Sequence, residues 1–251
     1  MKKKQLFLLF VFIIFLGFVF YLFQSTKEGM QNNYTAIIVE PREHKALYFV
    51  LENALTNLDE NWSVVILHGT QNKEYLENLC NNELKDYKSR IKMHNLQVKN
   101  LSLEDYNKLL TSKRFYDYIP SEHFLIFQTD SIICKSFNNY IYNFLQFDYV
   151  GAPHKNWVGN GGLSLRKKSK MLEVLNKDNR KENENEDVFF TKKEHELKLP
   201  DVETANKFSN EGLYSDDSFG VHKPWWYLNE HELRKKDMNC PGLNKLIELN
   251  K

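Results

Sequence analysis

The chain has 251 residues, enough for one domain with a good core or two small ones, and the expectation is one catalytic-sized domain behind an anchor. Its 34 Lys+Arg against 33 Asp+Glu leave a net charge of +1, which excludes a polyanion binder whose affinity comes from bulk charge, so no nucleic acid partner is expected. Cys80, Cys134 and Cys240 have no Cys-x-x-Cys spacing and cannot all pair within one chain, so neither a disulfide framework nor a zinc site is signalled. Cys134, in an apolar run, reads as a small core residue, and Cys80 with Cys240 is a bridge the sequence allows.

Lys2, Lys3 and Lys4 precede an apolar run from Leu6 to Phe23, interrupted among its large side chains only by Gly17. As a helix the run spans about 27 Å, near the bilayer hydrocarbon thickness of about 30 Å. No Ala-x-Ala pattern follows it, so residues 1–24 read as cytoplasmic lysines and an uncleaved signal-anchor transmembrane helix. The lysines place the N-terminus in the cytoplasm and the rest in the ER or Golgi lumen, or on an equivalent secretory or external side. A cleaved signal peptide would give the same compartment and a soluble product. Residues 25–33 are polar and read as a short stalk. Sequons stand at Asn33, Asn61 and Asn100, but Asn is so abundant that chance accounts for them.

The main domain is expected over residues 34–228. Thr35–Val39 is a β-branched strand that breaks at Glu40-Pro41-Arg42, after which Leu47, Val50, Leu51, Ala54, Leu55 and Leu58 fall at helical spacing. The unit repeats with a strand at Trp62–His68, a turn at Gly69–Asn72 and a helix from Lys73 to Cys80. A third strand near Ile91–Val98 precedes a helix from Leu103 to Leu110. Phe124–Cys134 then reads as one buried strand with a Gln128-Thr129-Asp130-Ser131 polar step in its middle. A carboxylate buried there is costly unless a cation or donors compensate it, which singles out Asp130. Strands alternating with helices imply an α/β fold with a mostly parallel sheet flanked by helices and ligands beyond the carboxyl ends of the strands. Arg42, His68-Gly69 and Gln128-Thr129-Asp130 fall at such ends.

Phe137–Phe147 reads as an aromatic-rich helix. The run Val158-Gly159-Asn160-Gly161-Gly162-Leu163-Ser164-Leu165-Arg166 lacks the spacing of a dinucleotide fingerprint, and reads either as backbone approaching a ligand or as a tight hairpin. A helix over Lys167–Leu175 and a polar loop over Asn176–Asn185 lead to Glu186-Asp187. Those two acids can complement a helix dipole, or place a carboxylate at the mouth of a pocket; the roles are compatible. A His and a Lys stand among Gly, Pro and two Trp in Phe219-Gly220-Val221-His222-Lys223-Pro224-Trp225-Trp226. Residues 229–251 form a charged tail whose Leu243, Leu246 and Ile247 can dock one helical face.

Taken in order, Gln128-Thr129-Asp130, the glycine run, Asn185-Glu186-Asp187-Val188-Phe189-Phe190 and Phe219–Trp225 resemble a GT-A glycosyltransferase domain. The chain is most similar to the glycosyltransferase-like family known as domain of unknown function 5672, over about Tyr34 to Tyr227. The resemblance implies a Rossmann-like fold and a hexosyltransferase-like activity. A sugar would pass from a nucleotide-sugar donor to a hydroxyl of a glycan, protein or lipid acceptor. It also implies a divalent cation, Mn²⁺ or Mg²⁺, held by a DxD-type motif, in which Gln128 here replaces the first acid. His222 would complete the metal site with Asp130, Asp217 being the alternative, and Lys223 would contact the diphosphate. By the same resemblance Asp187 is the base of an inverting transfer and Glu186 the alternate, while Asn160, Gly161 and Gly162 line the donor sugar. Arg42 and Gln128 would lie near the nucleotide, and Trp157, Trp225 and Trp226 offer faces for sugar stacking or for core packing. Because an acid is missing at Gln128, the competing reading is a catalytically inactive sugar- or nucleotide-binding module on the same fold. A nucleotidyltransferase would want a basic glycine-rich loop where Glu40-Pro41-Arg42-Glu43 stands.

Overall fold

The computed structural model describes residues 33–251 apart from Asn156. The expected anchor at 1–24, and the expected stalk as far as residue 32, lie outside the described residues. Among those described, no helix is long and apolar enough to cross a membrane.

Among the described residues nine strands run in chain order: β1 Tyr34–Glu40, β2 Trp62–His68, β3 Ile91–Asn95, β4 His123–Phe127, β5 Ser131–Ile133, β6 Tyr149–His154, β7 Trp157–Lys167, β8 Ser209–Asn210 and β9 Gly220–His222. Six form a sheet in the order β3-β2-β1-β4-β7-β6, parallel from β3 through β4, with β7 antiparallel to both β4 and β6. β1 and β2 are apolar without alternation because both faces are covered. One face carries Ala36, Ile38, Val64, Ile66 and Leu125 against the helix Leu47–Asn57. The other carries Ile37, Val65, Leu67, Phe124 and Ile126 against Phe115, Met171, Phe189 and Phe190. The period of two along each strand sorts its side chains between these two cores.

The expected single strand Phe124–Cys134 is in fact two, in different sheets. β4 ends at Phe127, where the Ser131 hydroxyl accepts from the Gln128 N–H and donates to the Gln128 carbonyl, at 3.1 and 2.8 Å. This closes a turn over the polar step, and β5 leaves in a small second sheet of order β5-β9-β8. Asp130 therefore sits on the corner between the sheets.

Other expectations shift in extent. β3 ends at Asn95, before Val98, and the aromatic stretch forms a 3₁₀ helix over Lys135–Phe144. The glycines at 159, 161 and 162 lie inside the eleven-residue β7. β6 and β7 form a hairpin whose register shifts around Ala152, next to those glycines.

The C-terminal segment is part of the same compact unit, Asn33–Lys251, as helices Glu230–Asn239 and Leu243–Leu249. Leu243 and Leu246 are fully buried, and the Asn250 side-chain amide donates to the Thr129 carbonyl at 2.9 Å. Cys134 is disulfide-bonded to Cys240, with their Cα atoms 4.5 Å apart, and Cys80 is free and buried. This overturns both the reading of Cys134 as a plain core residue and the possible Cys80–Cys240 bridge. The partners are 106 residues apart, so no local spacing announces them.

Candidate active site

A cavity of about 510 Å³ opens beyond the carboxyl ends of β1 and β4. Arg42, Gln128, Asp130, Asn160, Gly161, Gly162, Glu186, Asp187, His222 and Lys223 all border it. Asp217 does not; its carboxylate accepts from the Ser215 hydroxyl at 3.1 Å.

Antiparallel pairing of β5 with β9 sets Ser131 opposite His222, and the Lys223 N–H donates to the Asp130 carbonyl at 2.9 Å. The carboxylate and the imidazole are thus brought together by backbone register, with His222 Nε2 3.3 Å from Asp130 Oδ1. On the other side of the ring, Nδ1 lies 3.5 Å from Glu211 Oε2. Burial disfavours a charged imidazole, but the two flanking carboxylates outweigh it and push the His222 pKa up to about 9. Burial likewise works against ionised Asp130, and His222 and Lys223 together hold its pKa below the usual carboxylate value. Lys223 adopts a left-handed backbone, φ 44° and ψ 43°, which only a surrounding structure that over-determines it will hold in a non-glycine residue. Its ammonium lies 3.9 Å from Asp130 Oδ2 and 3.5 Å from the centroid of the Trp226 ring.

Asp130 Oδ1 and His222 Nε2 are buried without a hydrogen-bond partner. Ligands bound at about 2.1 Å and at right angles on an octahedral cation stand about 3 Å apart, so the 3.3 Å separation suits two neighbouring ligands of one ion. Oxygen and imidazole donors suit Mn²⁺, and the pair fits such a cation. Among the described residues no three His, Cys, Asp or Glu side chains converge to hold one.

Glu186 and Asp187 open the short helix Glu186–Phe190, yet they face different surroundings. Glu186 is buried and takes both terminal nitrogens of Arg166, at 2.6 and 2.8 Å. Arg166 is itself fully buried, 4.4 Å from the Tyr149 ring centroid. Among the described residues none forms an ion pair with Asp187. It accepts from the Gly161 N–H at 3.0 Å and from the Val188 N–H at 2.7 Å. Burial first, and the neighbouring Glu186 charge second, push its pKa up to about 6. A pocket carboxyl that titrates near neutrality is suited to take a proton. Glu186, locked to Arg166, is not.

The two glycines serve these carboxylate and imidazole groups. A Cβ on Gly161 would stand 2.4 Å from Glu186 Oε1, and one on Gly162 2.0 Å from His222 Nε2. Asn160 turns its amide oxygen back to the Gly162 N–H at 3.0 Å. Arg42 forms a two-pronged pair with Glu40, both bonds 2.8 Å, and remains half exposed. The Gln128 side chain donates to the Tyr106 hydroxyl at 2.9 Å. Of the tryptophans, only Trp226 borders the cavity, and it is well exposed. Trp157 stacks on His154 and donates to Thr191, while Trp225 packs on the core. Sequence reasoning missed Glu211 and Tyr106, which also border the cavity. Glu211 lies in an irregular stretch just after β8, where no periodicity marks a position as buried.

A family model described as "Protein of unknown function (DUF5672)" matches residues 90–222, just over half of the chain. The chain belongs to the DUF5672 family. The match covers Gln128, Asp130, the glycine strand, Glu186-Asp187, Glu211 and His222, but not β1 and β2. No curated protein sequence matches the DUF5672 chain. Among solved structures it is similar to the mannosyltransferase PcManGT from Pyrobaculum calidifontis in complex with GDP-Man and Mn²⁺. The TM-score is 0.50 at 12% identity, covering 68% of this chain and 55% of that one. It is also similar to the apo-form glycosyltransferase GlyE of Streptococcus pneumoniae TIGR4, with TM-score 0.53, 10% identity, and 86% and 62% of the two chains covered. A third is the galactosyltransferase LgtC in complex with donor and acceptor sugar analogues, with TM-score 0.50, 10% identity, and 85% and 94% covered. The DUF5672 chain thus spans little more than half the length of the first two. It has the α/β, GT-A-like fold of these glycosyltransferases, a mostly parallel mixed sheet flanked by helices.

Proposed function

We propose that this protein transfers a sugar from a nucleotide-sugar donor to an acceptor hydroxyl with inversion at the anomeric carbon, assisted by Mn²⁺ or Mg²⁺. The observation that carries the reading is that one cavity is bordered both by the unpartnered Asp130–His222 pair and by Asp187, whose pKa is raised. Asp130 and His222 would hold the cation, which when bound supplies positive charge to the diphosphate leaving group. Lys223 adds a second positive charge on the same side. Asp187 Oδ accepts the proton of the acceptor hydroxyl, the acceptor oxygen bonds to the anomeric carbon, and the bond from that carbon to the diphosphate oxygen breaks. The Gly161 and Val188 N–H groups orient the carboxylate for this. Arg42, Gln128 and Asn160 border the same cavity; Arg42 and Gln128 would contact the nucleotide and Asn160 the donor sugar. Acceptors of glycan, protein or lipid type all present the required hydroxyl. An anchor at residues 1–24 would hold the domain to a membrane on the luminal or external side.

The test is donor turnover by the protein with and without Mn²⁺, across nucleotide sugars first ranked by thermal shift. Turnover that needs Mn²⁺ and falls in Asp130→Ala supports the reading; equal turnover by both forms overturns the cation site. Retention of anomeric configuration in the product overturns Asp187 as base. The second reading, an inactive sugar- or nucleotide-binding module, is favoured by Gln128, whose amide is engaged by Tyr106 at the first acid position. Donor binding without turnover of any donor would establish it.

A further inference from the structure

Glu211 is a buried carboxylate whose neighbouring basic groups are two imidazoles: its Oε2 lies 3.5 Å from His222 Nδ1 and 3.8 Å from His154 Nε2 and, among the described residues, makes no hydrogen bond. Such a group is costly to bury unless it receives a proton donor. Its place is set by β8, whose Asn210 pairs with Val221 of β9, so that Glu211 runs beside His222. The His222 ring is thereby enclosed on three sides. Asp130 stands at Nε2, Glu211 at Nδ1, and Gly162 against the ring, since a Cβ there would lie 2.0, 2.3 and 2.5 Å from Nε2, Cε1 and Cδ2. Those three similar distances are those of an approach to the ring face, which leaves the in-plane lone pair of Nε2 uncovered.

We propose that Glu211 is a positioning residue that fixes the tautomer of His222. It accepts the proton of Nδ1, so that Nε2 presents a bare lone pair to a divalent cation beside Asp130. The role rests on the cation reading given above. Below a pKa of about 9 the metal-free ring carries both protons; once it is neutral, at higher pH or when a cation displaces one proton, two tautomers compete. With the proton on Nε2, His222 donates to Asp130 across the 3.3 Å gap and the pair closes on itself, so that a cation must break that contact to enter. With the proton on Nδ1, Glu211 receives it after a closure of about half an ångström to normal hydrogen-bond length, and both Asp130 and Nε2 remain free to ligate. A carboxylate behind a ligating histidine fixes its tautomer and orientation, and loss of such a group costs about 10- to 100-fold in metal affinity. Glu211 does not itself ligate, since it lies across the ring from Asp130.

The test is titration of Mn²⁺ alone into the full chain, followed by the electron paramagnetic resonance of the free ion, together with ¹⁵N spectra of the metal-free His222 ring taken at a pH above about 9, where the ring is neutral. Wild type is expected to show the Nδ1–H form. Glu211→Ala is expected to switch to Nε2–H and to weaken Mn²⁺ by 10-fold or more. Glu211→Gln, whose amide oxygen still accepts, should keep the tautomer and most of the affinity; should the alanine variant fail to fold, Glu211→Asp, which withdraws the carboxylate by one methylene, should show the same switch. Wild-type tautomer and Mn²⁺ affinity in a folded Glu211→Ala or Glu211→Asp overturn the proposal. Failure of wild type itself to bind Mn²⁺ overturns the cation reading and this role with it.

Discussion

Gly162 packs directly against the buried imidazole of His222, leaving no room for a Cβ, which would stand 2.0 Å from Nε2. The neighbour is a ring enclosed by Asp130 and Glu211, with no flexible end to swing away. Gly162→Ala is therefore expected to displace His222, weakening Mn²⁺ by at least 10-fold and costing about 1–3 kcal/mol of stability from overpacking. Metal titration and urea unfolding measure the two effects. Unchanged Mn²⁺ affinity in a folded variant would show that His222 is not a ligand.

Asp187 carries a pKa of about 6 against 3.8 unperturbed. As a base it must be ionised, so turnover is expected to rise as pH increases through about 6 and to level off above it. Asp187→Asn should lower turnover by about 10²- to 10⁴-fold. The sign for stability is opposite. Below pH 3.8 the carboxyl is protonated in both states and costs nothing; as pH rises towards 6 the unfolded chain ionises first, so folding is penalised. Asp187→Asn should consequently stabilise the fold at pH 7 by on the order of 1–3 kcal/mol, read by chemical denaturation.

Arg166 and Glu186 form a pair sealed from water on both sides. Removing one partner leaves an uncompensated buried charge, so Arg166→Met is expected to cost about 3–5 kcal/mol. Adding Glu186→Leu to the same protein should recover much of that loss, because an apolar pair needs no compensation. A double variant no more stable than Arg166→Met would show that the pair contributes through packing alone.

The Cys134–Cys240 bond ties the end of β5 to the helix Glu230–Asn239, close to where Asn250 holds the Thr129 carbonyl. It closes a long loop, so Cys240→Ser is expected to cost about 2–5 kcal/mol. Because Thr129 adjoins Asp130, Mn²⁺ affinity should fall together with melting temperature, both measured on the purified variant.

Much of the fold is legible in local pattern. The β-branched runs at 35–39 and 62–68 and the helical spacing from Leu47 to Leu58 each follow from a side-chain period that a single element imposes. Strand ends could be read too, and the polar groups at Arg42, Gln128 and Asp130 do border one cavity. The break at Gln128–Asp130 was not legible, because an apolar run on either side of a turn looks the same whether it continues in one sheet or passes to another. The serine hydroxyl that closes the turn is a contact across three residues with no periodic signature.

What the sequence by itself determined is which chemical groups are present and which strand ends carry them, since hydrophobic period and turn residues act over a few positions. What only the tertiary structure decided is the division of labour among those groups. Glu186 and Asp187 are adjacent in sequence, yet Arg166, twenty residues upstream, neutralises one and leaves the other to the cavity. The Cys134–Cys240 pairing and the meeting of Asp130, Glu211 and His222 are likewise set by the register of β5, β8 and β9. Electrostatic partners are chosen by distance in space, and strand pairing brings residues together at separations no sequence window contains.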